Sequence, residues 1–110
     1  MTEHIKELDL LIEVKRWIDE FLNGQGYCII CGHEDPKDLE YHHVGGKSNS
    51  PVVISLCRNC HGKSSRIQRR TWPKGWSDKN KATRIQDAIS LRGLSDILRL
   101  KSDHMLSEND

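Results

Sequence analysis

The stretch that decides the fold runs from Cys28-Ile29-Ile30-Cys31 to Cys57-Arg58-Asn59-Cys60-His61. Its two Cys-x-x-Cys pairs contain all four cysteines of the 110-residue chain. Two such knuckles supply four thiolates, which is a complete ligand set for a tetrahedral structural zinc. The spacing therefore predicts one zinc ion held by Cys28, Cys31, Cys57 and Cys60.

Disulfides and a redox pair are the alternatives to zinc for these cysteines. The chain starts Met1-Thr2-Glu3-His4-Ile5 without an apolar signal segment, and no run of 18 apolar residues follows. We therefore expect a cytoplasmic location, or an intracellular one for a phage-encoded chain, and no membrane association. In a reducing compartment, Cys-x-x-Cys pairs indicate metal or redox chemistry more often than structural disulfides. An aromatic content of 5% also predicts a thin core that a metal would stabilise.

The patterns around the knuckles predict two strands and a helix between two helical flanks. Residues 39–44 and 52–56 have strand character and are separated by a Gly-rich loop. The chain should turn through the second knuckle at Cys57 into a helix that ends near Arg70. The expected fold is a small, zinc-stabilised α+β domain of 110 residues. Its parts are an N-terminal helix (1–24), a zinc-clamped core (26–70) and a C-terminal helical extension (71–110).

The two flanks leave several details open. Helical periodicity covers residues 3–22, and its apolar face could pack on the metal core or on a second copy of the chain. The segment 72–76, Trp-Pro-Lys-Gly-Trp, should break the preceding helix and cap the core, with stacking on bases as the alternative. Thr83-x-x-Gln86 resembles a capping box that opens the last helix. Gly93 is an expected interruption of that helix, and residues 107–110 an expected disordered tail.

The net charge of +1 hides a strong asymmetry along the chain. Residues 58–84 contain nine Lys or Arg and one acid, whereas residues 1–57 contain ten acids and five Lys or Arg. Cations clustered beside a metal site indicate a polyanionic partner such as nucleic acid, although a solvated helix face is the simpler alternative. The expected nucleic-acid-binding residues are Arg58, Lys63, Arg66, Arg69 and Arg70.

Three histidines lie close to the cysteines and are not needed by the zinc. His42 and His43 end the first predicted strand, and a zinc clamp would bring His61 close to them. A neutral imidazole, a divalent ion and nearby cations are what the hydrolysis of a phosphodiester requires. His42 or His43 could instead be an ordinary surface or strand residue, and His61 could be an alternative zinc ligand.

These residues resemble a known family of nucleases. Glu40-Tyr41-His42-His43-Val44-Gly45-Gly46-Lys47, followed by Leu56-Cys57-Arg58-Asn59-Cys60-His61, resembles the HNH endonucleases. The likeness is to the short phage-type members with two Cys-x-x-Cys knuckles, and it covers about residues 26–70. The resemblance implies a ββα-metal, treble-clef-like core.

The resemblance also implies a role for each matching residue. His43 would be the general base, and His42 and His61 would bind a catalytic divalent ion such as Mg²⁺ or Mn²⁺. The four cysteines would hold the structural zinc. Members of the family cleave DNA to 5′-phosphate and 3′-hydroxyl ends.

Two positions depart from the family pattern. Val52 stands where the family usually has the Asn that helps to orient the base, and Asn49 is the best substitute. Ser65 stands where many members have a further histidine, so the catalytic ion would have fewer protein ligands and more water.

The sequence thus predicts a metal-dependent HNH endonuclease that hydrolyses DNA phosphodiester bonds. The expected partner is double-stranded DNA, and the flanking helices could pair two copies into a homodimer. The first alternative is a non-catalytic, zinc-ribbon-like nucleic-acid-binding module, in which the histidines are incidental. A zinc domain that binds another protein is the second alternative.

Overall fold

A computed structural model describes residues 3–23 and 26–108 of the chain. The elements are α1 (Glu3–Asn23), a short 3₁₀ helix (Pro36–Asp38), β1 (Leu39–His43), β2 (Val53–Cys57), α2 (Arg58–Thr71) and α3 (Thr83–Glu108). The described residues therefore form a small α+β structure with three α-helices and a two-stranded sheet, and the coarse prediction of the fold is confirmed. None of the described helices combines the length and the hydropathy needed to span a membrane.

The sheet is a single antiparallel pair. Strand β1 ends in His42 and His43, and β2 ends at Cys57, the first cysteine of the second knuckle. Leu39 pairs with Cys57 at one end, and His43 pairs with Val53 at the other. Both strands lie within one residue of their predicted positions. Because β2 ends at Cys57 and α2 begins at the next residue, the second knuckle is also the N-terminus of α2.

The first knuckle is a tight turn that is bonded to β2. Gly32 has φ of +83°, and its N–H donates to the carbonyl of Cys28 at 2.7 Å. The N–H of Ile29 donates to the carbonyl of Ser55 at 3.1 Å. Cys28 and Cys31 are thereby held beside Cys57.

The core of the described chain is small, and cysteines make up a substantial part of it. Leu56 of β2 and Ile97 of α3 are both 0% exposed. The buried cluster comprises Phe21, Cys28, Ile29, Ile30, Val44, Ile54, Leu56, Cys57, Cys60 and Ile97. A core of this size supplies modest hydrophobic stabilisation. A metal ion held between its elements would therefore contribute a larger share of the folding free energy.

Helix α3 packs directly on the chain that follows His43. The expectation that Gly93 interrupts this helix is wrong, because α3 continues through it. A Cβ at Gly93 would lie 1.8 Å from the carbonyl oxygen of Val44, and one at Gly45 would lie 2.4 Å from Oγ of Ser90. Both glycines are therefore required by close approach between α3 and the end of β1.

Helix α3 also extends further than the sequence predicts. It ends at Glu108, so the expectation of a disordered tail is wrong for Ser107 and Glu108. Oγ of Ser107 donates to the carbonyl of His104 at 2.7 Å, and Nε2 of His104 lies 2.9 Å from a carboxylate oxygen of Glu108. These local contacts support the last turn. Residues 109 and 110 lie outside the described residues.

The segment between α2 and α3 covers the core, as predicted. Trp72 is 7% exposed, and its Nε1 donates to Oδ2 of Asp96 on α3 at 2.7 Å. The ring of Trp76 meets that of Trp72 edge to face at 5.1 Å. Trp72 thus ties the segment to α3, while Trp76 remains partly exposed.

Helix α1 extends over Glu3–Asn23, close to the predicted bounds of 1–24, and residues 1, 2 and 24 lie outside the described residues. Phe21, near its end, is buried in the core. The other large apolar side chains from residue 8 onward are mostly exposed, namely Leu8, Leu10, Leu11, Ile12, Val14, Trp17 and Leu22. Within residues 8–23, the apolar face of α1 therefore packs on the core only near its C-terminal end.

Candidate functional site

The four cysteines converge on one point between the knuckles. Their sulfur atoms all lie within 4.8 Å of one another, and Sγ of Cys31 is 3.7 Å from Sγ of Cys57. A tetrahedral site with Zn–S bonds of about 2.3 Å places its sulfurs about 3.8 Å apart. The observed spacing fits that geometry, so the cluster could hold a zinc ion with the four predicted ligands.

The environment of the thiols also suits metal binding. Burial is the largest influence on Cys28 and raises its pKa, but hydrogen bonds involving the backbone of Cys31, Cys57 and Ile30 together lower that pKa to about 7. Burial raises the pKa of Cys60. Cys28 can therefore lose its proton near neutral pH, and binding of a metal would release the protons of the other thiols.

Strand β1 directs alternate side chains toward α2. Successive residues of a strand point to opposite faces, so Glu40 and His42 share the face that meets α2. There they contact His61 and Ser64, two residues that lie near each other on the helix. Tyr41 is 76% exposed.

His42 is buried and held in its neutral form. It is 3% exposed, and its Nε2 lies 3.3 Å from Oγ of Ser64. Burial lowers its pKa to about 4, and the nearby charges of His61 and His43 act in the same direction. Its ring meets that of His61 edge to face at 5.1 Å. A neutral imidazole keeps a nitrogen lone pair that can accept a hydrogen bond or bind a metal.

His61 is oriented by a carboxylate. Its Nδ1 lies 3.0 Å from Oε1 of Glu40. A carboxylate beside Nδ1 favours the tautomer with hydrogen on that nitrogen, which leaves the Nε2 lone pair free, as in histidines that ligate metals. Sequence reasoning assigned no role to Glu40. Its place two residues before His42, on the same face of the strand, was the signal for this contact.

His43 differs from both of these histidines. It ends β1 and is half-buried, and among the described residues its ring has no hydrogen-bond partner. Its backbone carbonyl accepts from the N–H of Gly46 at 3.0 Å, which fixes the turn that follows. The imidazole is therefore accessible to a water molecule or a ligand.

All three histidines face one cleft of about 700 Å³. The cleft is lined by Tyr41, His42, His43, Gly46, Lys47, Ser48, His61, Gln68, Trp76, Ser77 and Lys79. The structure thus brings together the three histidines that the sequence singled out.

The expected nucleic-acid-binding residues of α2 do not line this cleft. Arg58 is exposed and donates from Nη2 to the carbonyl of Lys37 at 3.3 Å. The other four, Lys63, Arg66, Arg69 and Arg70, are exposed on α2. The cations that do line it are Lys47 and Lys79, to which sequence reasoning assigned no role.

Asn49 holds the loop after β1, and among the described residues its side chain forms no hydrogen bond with His43. Its Nδ2 donates to the carbonyl of Gly45 at 2.8 Å and to that of Trp76 at 2.9 Å. Val52, at the usual family position of the Asn, is 43% exposed, and its N–H donates to Oγ of Ser50 at 3.2 Å. Asn49 thus bonds the backbone two residues after His43 and links it to Trp76.

The two candidate metal positions differ in the number of protein ligands. Among the residues that the structure describes, the four cysteines are the only group of three or more His, Cys, Asp or Glu side chains that converge as metal ligands do. His42 and His61 offer two imidazoles. An ion between them would need its remaining ligands from water or from a bound substrate.

No protein-family model, curated protein or solved structure matches this chain. The resemblance to HNH endonucleases consequently rests on the sequence motif. The side chains in the cleft are therefore the structural basis for assigning a function.

Proposed function

We propose that this chain is a metal-dependent endonuclease of the HNH type that hydrolyses phosphodiester bonds of DNA. The observation that carries the proposal is the different environment of each histidine in one cleft. His42 is buried, His61 is bonded to Glu40, and His43 has no partner among the described residues. A module that only binds nucleic acid does not need three histidines in three different environments. In the proposed ββα-metal core, β1 and α2 supply the three histidines of the reaction site, and β2 pairs with β1.

His43 is assigned the role of general base. A neutral imidazole near pH 7 can take a proton from a water molecule as that water attacks phosphorus. The base must reach the water directly, and the accessible ring of His43 meets this requirement. His42, at 3% exposed and with a pKa of about 4, is a poor base at neutral pH.

His42 and His61 are assigned to hold the catalytic divalent ion, Mg²⁺ or Mn²⁺. An ion bound there would supply positive charge to a phosphate oxygen and to the leaving 3′ oxygen. Glu40 keeps Nε2 of His61 available by accepting the Nδ1 hydrogen. Ser64 fixes the ring of His42 through Nε2, and this contact at 3.3 Å is weak enough to be exchanged for a metal ligand. The four cysteines hold the structural zinc in this proposal.

A plasmid-nicking assay with Mg²⁺ or Mn²⁺ tests the mechanism on the His43→Ala variant. Loss of a general base should lower the cleavage rate by about 10²- to 10⁴-fold. His104→Ala is the matched control, because His104 lies on α3 and contacts Glu108 outside the cleft. Equal zinc content and equal melting temperature in the two variants would show that the fold is retained. Unchanged cleavage by His43→Ala would refute the assigned mechanism.

The second candidate is a zinc-dependent module that binds nucleic acid without cleaving it. The observation in its favour is that all five predicted cations of α2 are exposed and lie outside the cleft. Such a module would bind one zinc per chain and would leave DNA intact with every divalent ion. It would still lose affinity as salt increases.

A further inference from the structure

Part of the cleft is formed by two loop segments that carry no histidine. We call this part the loop wall; it consists of Gly46–Ser48, after β1, and of Trp76, Ser77 and Lys79, between α2 and α3. Each segment contributes one lysine to the cleft, Lys47 and Lys79. The loop wall therefore adds positive charge to a cleft that the histidines line from β1 and α2.

Hydrogen bonds from residues next to the loop wall join its two segments. Nδ2 of Asn49 donates to the carbonyl of Trp76 at 2.9 Å, and Nζ of Lys81 donates to Oγ of Ser48 at 3.4 Å. Gly46 has φ of +82°, and a Cβ there would lie 3.0 Å from the ring of Trp76. These contacts place Lys47 and Lys79 on one connected surface before any ligand binds, which lowers the cost of ordering them around a ligand.

The charge of the cleft favours an anion. No acidic side chain is among the residues that line it. Both lysines are exposed, and among the described residues neither forms an ion pair. Two unpaired ammonium groups in a cleft attract phosphate groups and raise their local concentration.

The cleft is large enough to hold a ligand with more than one phosphate group. Its volume of about 700 Å³ lies within the range of about 300–1,000 Å³ that encloses whole small-molecule ligands. The cleft therefore has room for the nucleotides beside the bond that the histidines would attack. Ser48 and Ser77 add hydroxyl groups to the same surface.

We infer that Lys47 and Lys79 form a phosphate-binding subsite that holds a nucleic-acid strand by phosphates next to the scissile one. This inference rests on the proposed nuclease function, and it names the part of the substrate that the cleft recognises, which is the sugar–phosphate backbone of one strand. Because backbone contacts carry no base information, the subsite positions the strand without selecting a sequence.

The test measures binding apart from cleavage. The zinc-loaded His43→Ala protein, without Mg²⁺ or Mn²⁺, is titrated into a fluorescent single-stranded oligodeoxynucleotide, and anisotropy is recorded at several salt concentrations. Adding Lys47→Ala and Lys79→Ala should make the slope of log affinity against log salt shallower by about 1.4, since each phosphate contact on a single strand contributes about 0.7. Lys37→Ala with Lys74→Ala removes the same charge outside the cleft and should leave the slope nearly unchanged.

Equal slopes for the two double-lysine variants would overturn the inference, whether both change or neither does. Cleavage by the chain with His43 intact is measured separately, so the two proposals can fail independently. A selective change of slope in a chain that cleaves no DNA would support phosphate binding by Lys47 and Lys79 and refute the nuclease. Normal cleavage with no selective change of slope would support the nuclease and refute the subsite.

Discussion

Replacing Gly93 with alanine should destabilise the protein, because the added Cβ would meet backbone atoms of the chain that follows His43. That Cβ would lie 1.8 Å from the carbonyl oxygen and 2.8 Å from the carbonyl carbon of Val44, and 3.0 Å from the ring of Trp72. An ordinary carbon–oxygen contact is about 3.3–3.6 Å, so α3 would have to move by roughly 1.5 Å or more at this crossing. A backbone carbonyl cannot rotate away as the end of a long side chain can.

The expected loss follows from two opposing effects. Overpacking of a core costs about 1–3 kcal/mol, and a clash with backbone belongs at the upper end of that range. Alanine favours a helix interior over glycine by about 1 kcal/mol and offsets part of the cost. The net destabilisation should be about 2 kcal/mol, which would lower the melting temperature by about 10 °C in a domain of this size.

Thermal denaturation followed by circular dichroism, at one fixed zinc concentration, measures this change. Gly62→Ala is the matched control, since Gly62 lies inside α2 and a Cβ there has its nearest neighbour, Nη1 of Arg66, at 3.8 Å. That control should raise the melting temperature by about 4–8 °C, because only the helix preference changes. A Gly93→Ala protein as stable as the parent would refute the reasoning, as would a shift of the same sign in both variants.

Two other predictions concern the cysteines and His42. Cys28→Ser or Cys60→Ser should reduce bound zinc from the expected one ion per chain to less than one and unfold the core, because structural zinc contributes folding energy directly. Metal analysis measures the zinc content, and circular dichroism measures the loss of structure. An unchanged zinc content would contradict the four-thiol site. The pKa of His42 falls on folding to about 4, so between its ordinary value of 6.5 and pH 4 the unfolded chain binds more protons than the folded one. Stability should therefore be lost as pH falls through that window, and a His42→Gln protein should lose less. Urea denaturation of both proteins from pH 7 to pH 4 measures the difference, and parallel curves would contradict it.

Much of the fold could be predicted from local signals. The strands ending at His43 and Cys57, and the helix after Cys57, follow from β-branched runs, turn residues and knuckle spacing. The error at Gly93 has a physical cause. A glycine inside a helical pattern looks like a break when only local preference is considered, whereas here it permits contact with Val44, which is 49 positions earlier in the chain.

Local signals likewise predicted one part of the candidate site, and long-range contacts decided the rest. His42, His43 and His61 could be singled out because they stand at fixed offsets from the knuckles. Lys79 could not, since it lies far from the motif along the chain and reaches the cleft through the contact between Asn49 and Trp76.

The sequence by itself indicated that the four cysteines would converge and that three histidines would lie beside them, because knuckle spacing and strand pairing depend on short-range geometry. Only the tertiary structure decided what each histidine can do. Burial makes His42 neutral, Glu40 orients His61, and His43 is left accessible at the end of β1. These differences arise where α2 and the loop wall close around the strand, and burial and electrostatic environment are properties of that packing.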